Sequence, residues 1–445
     1  MARGRFAGTV CLLLSSLITL FLGSSLEQGS QAGMADFKAI YYGSRCLIER
    51  RDPYQAGEFL SVYLNDGGRL PSDPAMRRLF YRAVPICINL PTSLFLVGPF
   101  ALMPWGPAHL LWLILIAFVL ILACVLTWEI SREYAPAISL VLVCLVLANC
   151  EILLMSGNLA GIAVSFCVIS VWCFVRERYI NFGLLLLAIS LATKPQDTGL
   201  IWLFFLLAGG TYRKRALQSL GLTALIAFPA ILWISVVSPN WIRELSSNLA
   251  TTSAPGDLSD PGPASITARS PAMIIDLQTV FSYFRDDPRF YTTLSLLVGG
   301  GLLCIWALKA LRTSNGTKDT WLALAAVTPL SMLPVYHRLY DAKLLLLTIP
   351  ACCILWAKDG WTRWVGGLLT AASLCFTGDI PASIVDNLTR GVPRYESGGW
   401  NRILNILLIR QVPIILLALG VFYLWAYIRS SRELVAPGDQ VSGRI

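Results

Sequence analysis

Long apolar runs, separated by short polar segments, recur along the whole chain. Many reach the ~17–25 residues that a helix needs to cross a bilayer core of ~30 Å. The runs are continuous, whereas the strands of a membrane barrel alternate apolar and polar residues. Because only helices and closed barrels satisfy the backbone in lipid, the pattern predicts an all-α fold. We expect a polytopic bundle of about 12 transmembrane helices in one membrane domain over residues 1–445.

The first apolar run lies near residues 6–22, and we expect it to stay as a helix instead of being cleaved as a signal peptide. A later apolar run is interrupted at Lys194-Pro195-Gln196-Asp197, which predicts a helical hairpin with its turn at these residues. The other windows lie near 84–103, 108–128, 136–154, 158–175, 216–237, 291–308, 320–335, 343–357, 361–377 and 403–428.

Two long polar segments interrupt this pattern, and both are expected outside the cytoplasm. Residues 23–83 form the first extracytoplasmic loop, with short amphipathic helices on the membrane surface. Residues 238–290 form a second large loop, whose Pro, Ser and Gly content predicts flexibility. Residues 336–342 and 378–401 are also placed outside.

Composition and charge agree with a membrane protein. Hydrophobic residues make up 56% of the chain, charged residues only 14%, and the mean hydropathy is +0.65. The net charge of +9 comes from basic clusters beside helices, which indicate cytoplasmic helix ends and no nucleic-acid partner. These clusters include Arg3 and Arg5, Arg176 and Arg178, and Arg213 to Arg215. We expect a multi-pass protein of a bacterial plasma membrane, with both termini cytoplasmic.

The charge pattern also limits the number of crossings. If 23–83 is outside and Arg176 inside, an odd number of crossings separates them, yet four windows lie between them. The window 84–104 contains four prolines and is the weakest candidate for one straight helix. Three crossings in this part of the chain give twelve in all.

Candidate chemistry begins just after the first helix. Asp36 would lie at the outer membrane surface, where a carboxylate can act as a general base. Tyr41 and Tyr42 offer aromatic faces for a sugar, and Arg45 is a candidate phosphate ligand. From the spacing alone, a solvated loop carboxylate beside interfacial aromatic residues is the simpler interpretation.

Several short motifs, in order, are similar to one family. The chain resembles the polyprenol-phosphate-mannose-dependent α-mannosyltransferases of the GT-C class, from about residue 30 to 215 and again at His337 to Asp341. The motifs are Asp36-Phe37, Tyr41-Tyr42, Arg45, Asp52-Pro53-Tyr54, Leu90-Pro91, Gly157-Asn158 and Lys194-Pro195. The resemblance implies a GT-C-like membrane bundle that moves mannose from a polyprenyl-phosphate donor to a glycolipid or glycan acceptor. No Cys/His spacing or carboxylate cluster in the sequence suggests a metal, and we expect neither a metal nor a cofactor.

The resemblance also implies roles for individual residues. Asp36 would be the single general base of an inverting displacement, because a phosphate leaving group demands no general acid. Ligands for the donor phosphate are expected among Lys194, Arg45, His337, Arg338 and Lys343, and substrate contacts from Tyr41, Tyr42, Asn158 and Gln196. Two structural alternatives stay open: Lys194 pairs with Asp197, and His337 belongs to an ion cluster with its charged neighbours.

Two other functions remain as alternatives. A lipid-linked sugar flippase or transporter would show internal repeats and ionisable residues near the bilayer midplane, and neither is evident in the sequence. A surface-polysaccharide ligase or polymerase would place its large loop late in the chain, which the segment 238–290 allows. The short cytoplasmic loops leave no room for a nucleotide-sugar domain, which favours a lipid donor used on the outer face.

Overall fold

The computed structural model describes residues 2–29, 33–267, 273–312, 316–389, 403 and 406–433. In this part of the chain the secondary structure is helical, and the β-type pairing it contains is an isolated bridge between Ile274 and Arg338. The predicted all-α class is therefore confirmed.

The α-helices are numbered in chain order. They are α1 (Ala2–Gly29), α2 (Ala35–Ile48), α3 (Ala56–Asn65), α4 (Pro74–Ala83), α5 (Pro91–Ala101), α6 (Trp105–Ser131), α7 (Pro136–Leu147), α8 (Glu151–Ser156), α9 (Ala160–Val175), α10 (Ile180–Thr193), α11 (Pro195–Ala208), α12 (Gly210–Val237), α13 (Trp241–Thr252), α14 (Gln278–Phe281), α15 (Pro288–Ala310), α16 (Thr317–Ser331), α17 (Ile349–Trp356), α18 (Trp361–Phe376), α19 (Asp379–Thr389) and α20 (Gln411–Glu433). A 3-10 helix covers Leu339–Thr348 between α16 and α17.

Among the described residues, seven helical segments are long and apolar enough to cross a membrane. They are Phe6–Gly29, Trp105–Ser131, Pro136–Ser156, Gly210–Val237, Pro288–Ala310, Leu339–Trp356 and Gln411–Ser430. The segment Leu339–Trp356 is 94% buried and lies at the centre, whereas Gly210–Val237 is only 11% buried and leaves its apolar side chains for lipid. The protein is thus a multi-pass membrane protein. The expected total of about 12 crossings also counts shorter helices, and that these cross the membrane stays a prediction.

The proline-rich window near 84–103 does not form one straight helix. Only Pro91–Ala101 is helical, which gives a length of about 16 Å, well short of the ~30 Å hydrocarbon core. The hydroxyl of Ser93 donates to the carbonyl of Thr193 at 2.8 Å, so α5 begins against the end of α10. This short helix links the first loop to the hairpin that α10 and α11 form.

The hairpin breaks where the sequence predicts it. α10 and α11 have 14 residues each, or about 21 Å, and they meet at Lys194. Pro195 occupies the first position of α11, where its fixed φ and missing N–H suit a helix start. The basic residues Arg213 to Arg215 lie in the first turns of α12, beyond the far end of α11 from Lys194.

The first loop differs from the expectation in two respects. α1 continues to Gly29 instead of ending near residue 22. α2 is also more deeply buried than an amphipathic surface helix, because Phe37, Tyr41 and Tyr42 lie in a second hydrophobic core with Trp112. Its position relative to the membrane stays a prediction. Aromatic residues on this helix therefore serve packing and fix α2 within the bundle.

The second loop is packed in the part that the structure describes. α13 covers its beginning, and the strand-like segment before α14 runs along residues 333–339. The backbone N–H of Ile275 donates to the carbonyl of His337 at 2.9 Å, and the N–H of Leu339 donates to that of Met273 at 3.1 Å. The expectation of a flexible loop does not describe these residues, and positions 268–272 lie outside the described residues. In the predicted outside segment 378–401, residues 379–389 form α19, and residues 390–401 also lie outside the described residues.

Candidate active site

Asp36 lies in the first turn of α2, half-buried at the N-terminal end of that helix. The backbone N–H groups at a helix N-terminus favour a negative charge there. Met34 precedes the helix in the left-handed region, with φ 57°, and its N–H donates to the carbonyl of Met155 at 2.7 Å. The end of α8 thus fixes where α2, and with it Asp36, begins.

Asn158 holds the carboxylate of Asp36. The Asn158 Nδ2 donates to Asp36 Oδ2 at 2.8 Å, across 122 positions of sequence. The Asn158 Oδ1 accepts from the backbone N–H of Ala160 at 2.8 Å, which orients the amide so that its NH₂ group faces Asp36. One carboxylate oxygen is therefore fixed by a buried amide.

The residue before Asn158 must be glycine. Gly157 has φ +64°, and a Cβ there would lie 2.8 Å from Cβ of Phe37 and 2.9 Å from Sδ of Met34. Its carbonyl accepts from Nε1 of Trp112 at 2.9 Å. The pair Gly157-Asn158, first noted as a motif, is thus the close contact between α8 and the start of α2.

Lys194 lies between two carboxylates at the turn of the hairpin. Its Nζ is 2.5 Å from Asp341 Oδ1 and 3.2 Å from Asp197 Oδ2, and it lies 5.3 Å from the ring centroid of Tyr340. Burial disfavours the charge of Lys194, but Asp197 and Asp341 outweigh burial and raise the pKa of the ammonium above its ordinary value. The structural alternative for Lys194, a pair with Asp197, is therefore present in the fold.

His337 and Arg338 join the same group. The Nε2 of His337 is 3.3 Å from the carbonyl of Gln196 and 3.5 Å from Asp197 Oδ1. Asp341 Oδ2 accepts from the backbone N–H of Arg338 at 2.7 Å. The segment after α16 is thus attached to the hairpin turn by its side chains and its backbone.

Arg338 connects this group to Asp36. Burial opposes the charge of Arg338, but Tyr336, Tyr340 and Asp36 favour it and raise the pKa of the guanidinium. Its Nε donates to the hydroxyl of Tyr336, and its Nη2 donates to the carbonyl of Leu258 at 2.8 Å. The fold therefore brings Asp36, Asn158, Lys194, His337 and Arg338 into one region, with Gln196 exposed beside them.

Arg45 is placed away from this region. It follows Asp36 by nine residues on α2, which is about 13 Å along the axis and two and a half turns, so the two side chains leave opposite faces. Its guanidinium pairs with Glu49 at 3.0 Å and donates to the carbonyl of Ala101 at 3.0 Å. We therefore leave Arg45 out of the donor site proposed below.

Lys343 is also placed elsewhere. Only 3% of it is exposed, and its Nζ donates to the carbonyls of Asn149 at 2.7 Å and Thr377 at 3.0 Å and lies 3.4 Å from Asp379 Oδ1. These three partners match the three donors of an ammonium group. Asp379 Oδ2 in turn accepts from the N–H of Ile152 at the start of α8. Lys343 thus joins α8 to the break between α18 and α19.

Tyr41 and Tyr42 are packing residues in this fold. The hydroxyl of Tyr41 donates to the carbonyl of Met103 at 2.6 Å, and that of Tyr42 donates to Asp66 Oδ2 at 3.1 Å. Both rings contact Trp105, with centroids 5.2 and 5.8 Å away. Their faces are covered by protein, so we do not place a sugar on them.

Comparison with known proteins supplies the family. Residues 88–336 match the sequence model for glycosyltransferase family 87, which is more than half of the 445 residues. The chain belongs to glycosyltransferase family 87. The family 87 region contains Asn158, Lys194 and Gln196, while Asp36 and Arg338 lie on either side of it. No curated protein and no solved structure matches the chain.

The described part of this family 87 chain offers no metal site. No group of three or more His, Cys, Asp or Glu side chains there could hold a metal ion. Asp197 and Asp341 instead flank Lys194, whose positive charge lies between them, and His337 lies beside Asp197.

Proposed function

We propose that this family 87 enzyme transfers a sugar, expected to be mannose, from a polyprenyl-phosphate donor to a glycolipid or glycan acceptor on the outer face of the membrane. The observation that carries the proposal is the Asp36 carboxylate, fixed by Asn158 and lying within electrostatic reach of Arg338. It combines a candidate base with a candidate phosphate ligand in one place.

The reaction needs one base and one anion site. An acceptor hydroxyl attacks the anomeric carbon, the new C–O bond forms, and the bond to the phosphate oxygen breaks with its electron pair. The leaving polyprenyl phosphate is already an anion, and Asp36 takes the proton of the hydroxyl through its Oδ1. The displacement inverts the anomeric carbon. Glycosidases need a second carboxyl because they expel an alcohol.

The cations of the site fit the leaving group. Arg338 offers a planar guanidinium, which binds phosphate oxygens in a bidentate manner. Lys194 and His337 lie behind it at the hairpin turn, attached through Asp341 and Asp197. Because Lys194 already offsets two carboxylates, we assign the main phosphate contact to Arg338 and a supporting role to Lys194 and His337.

The position of the site favours the outer face. Lys194 lies about 21 Å from the end of α11 that precedes the basic residues Arg213 to Arg215. Basic clusters mark the cytoplasmic ends of helices. The hairpin turn and Asp36 therefore belong to the opposite side, where a lipid-linked sugar is available and nucleotide sugars are not.

The donor class can be tested directly on the full-length enzyme. The purified protein is placed in mixed micelles with a polar-lipid extract of the source membrane, which supplies the acceptor. Radiolabelled polyprenyl-phosphate-mannose or GDP-mannose is then added as the donor. We expect label to enter the extract from the lipid donor alone. Transfer from GDP-mannose and none from the lipid donor would reject the proposal. Preferential transfer from polyprenyl-phosphate-glucose or polyprenyl-phosphate-arabinose would show that the transferred sugar is not mannose.

A further inference from the structure

A cavity of about 370 Å³ lies beside the candidate active site. It is bordered by the end of α13, the start of α15 and the segment that precedes the 3-10 helix. Its size falls within the ~300–1,000 Å³ of small-molecule sites. None of the residues assigned above to the base or to the phosphate lines it.

The lining of the cavity suits a carbohydrate. Polar residues line it, among them Ser253, Gln278 and Thr292, together with the apolar residues Ile88 and Leu249. Amides and hydroxyls both donate and accept hydrogen bonds, as sugar hydroxyls require. Burial raises the pKa of Asp276, which also lines the cavity, to about 7. The apolar side chains can cover the C–H face of a ring.

One contact connects the cavity to the reacting groups. Tyr336 lines it, and the hydroxyl of Tyr336 accepts from Arg338, the proposed phosphate ligand, which lies within electrostatic reach of Asp36. A molecule in the cavity would therefore lie on the side of the reacting groups that Arg338 occupies.

We propose that this cavity binds the carbohydrate end of the acceptor and presents its hydroxyl to Asp36. The proposal rests on the function proposed above and assigns a binding site to its acceptor. The donor is a poorer occupant, because no Lys or Arg is found among the described residues that line the cavity, and the Asp276 carboxyl disfavours a phosphate there. The donor also needs a path for its prenyl chain into lipid.

A pair of bulky substitutions close together on α13 tests the proposal. Ser253→Trp fills the cavity, because Ser253 lines it, whereas Thr251→Trp adds the same bulk at an exposed position that does not line it. Gln278→Leu is a smaller second variant that removes a polar contact without filling the space. Each full-length variant is assayed in mixed micelles with polyprenyl-phosphate-mannose and a graded polar-lipid extract of the source membrane.

We expect Ser253→Trp to raise the apparent KM for the extract about tenfold or more, as a blocked substrate pocket does, with the KM for the donor within twofold. Gln278→Leu should raise the same constant by a smaller factor, and Thr251→Trp should change neither. Periodate, which cleaves vicinal diols of sugars, should abolish the acceptor activity of the extract with wild-type enzyme.

Several results would overturn this inference. An unchanged KM for the extract in both Ser253→Trp and Gln278→Leu would show that the cavity is not the acceptor site. A raised donor KM in these variants would assign the cavity to the donor. Full acceptor activity after periodate would show that the acceptor carries no sugar there. Absence of transfer by the wild type from any lipid-linked sugar would instead reject the proposed function, and this inference with it.

Discussion

Replacing Asp36 by Asn should lower kcat by about 10²–10⁴-fold, the contribution of a positioned general base. An amide of the same size cannot take the proton from the acceptor hydroxyl. The side chain can still accept the hydrogen bond from Asn158, so the local contact should survive. Initial rates with radiolabelled polyprenyl-phosphate-mannose, at matched amounts of protein in the membrane, measure the effect.

A carboxylate at the other end of the same helix provides the matched control. Glu49→Gln removes the partner of Arg45 at 3.0 Å, far from the reacting groups, and should change kcat by no more than a few-fold, since exposed ion pairs contribute little. If Asp36→Asn retained activity comparable to Glu49→Gln, Asp36 would have no catalytic role and the proposed mechanism would fail.

Replacing Lys194 by Met should have the largest effect on stability. It leaves Asp197 and Asp341 buried without their cation, and breaking a buried pair in this way costs about 3–5 kcal/mol. We expect a clearly lower melting temperature in detergent. Because this loss alone would reduce activity, the single variant cannot separate a structural role from a role in donor binding.

The double variant Lys194→Met with Asp341→Asn separates the two roles. It removes one of the two negative charges and keeps an oxygen that can accept from the backbone N–H of Arg338. Most of the stability should return. If Lys194 also contacts the donor phosphate, the donor KM should stay raised roughly tenfold or more, the value of a charged hydrogen bond. A donor KM equal to that of the wild type would make Lys194 purely structural.

The sequence predicts the membrane class and the hairpin well, because both depend on local patterns. Continuous apolar runs require helices in lipid, and Lys194-Pro195 interrupts one such run with a charge and a fixed φ. The sequence also predicts that the window 84–104 is not one straight helix, from its prolines and from the odd number of crossings that the basic clusters require. Only Pro91–Ala101 is helical there. The packed second loop does not follow, because its backbone partners near His337 are more than sixty residues away.

The candidate site is only partly predictable. The contact between Asp36 and Asn158 spans 122 positions, and no local pattern predicts it; the family motifs include both residues but do not pair them. The helical period does predict that Arg45 lies on the face of α2 opposite Asp36. Phe37 and Tyr41 are four residues apart and share one face, which indicates a buried face and not a surface on which a sugar stacks. The pairing of Lys343 with Asp379 depends on tertiary packing and has no such local signal.

The anomeric configuration of the product tests the single displacement most directly. Wild-type enzyme in mixed micelles converts a polyprenyl-phosphate-mannose of known configuration, and proton-coupled ¹³C NMR of the released glycan gives the configuration of the new bond. The mechanism with Asp36 as the only base predicts an inverted anomeric carbon. A product that retains the donor configuration would require a covalent or dissociated intermediate and would contradict the central claim.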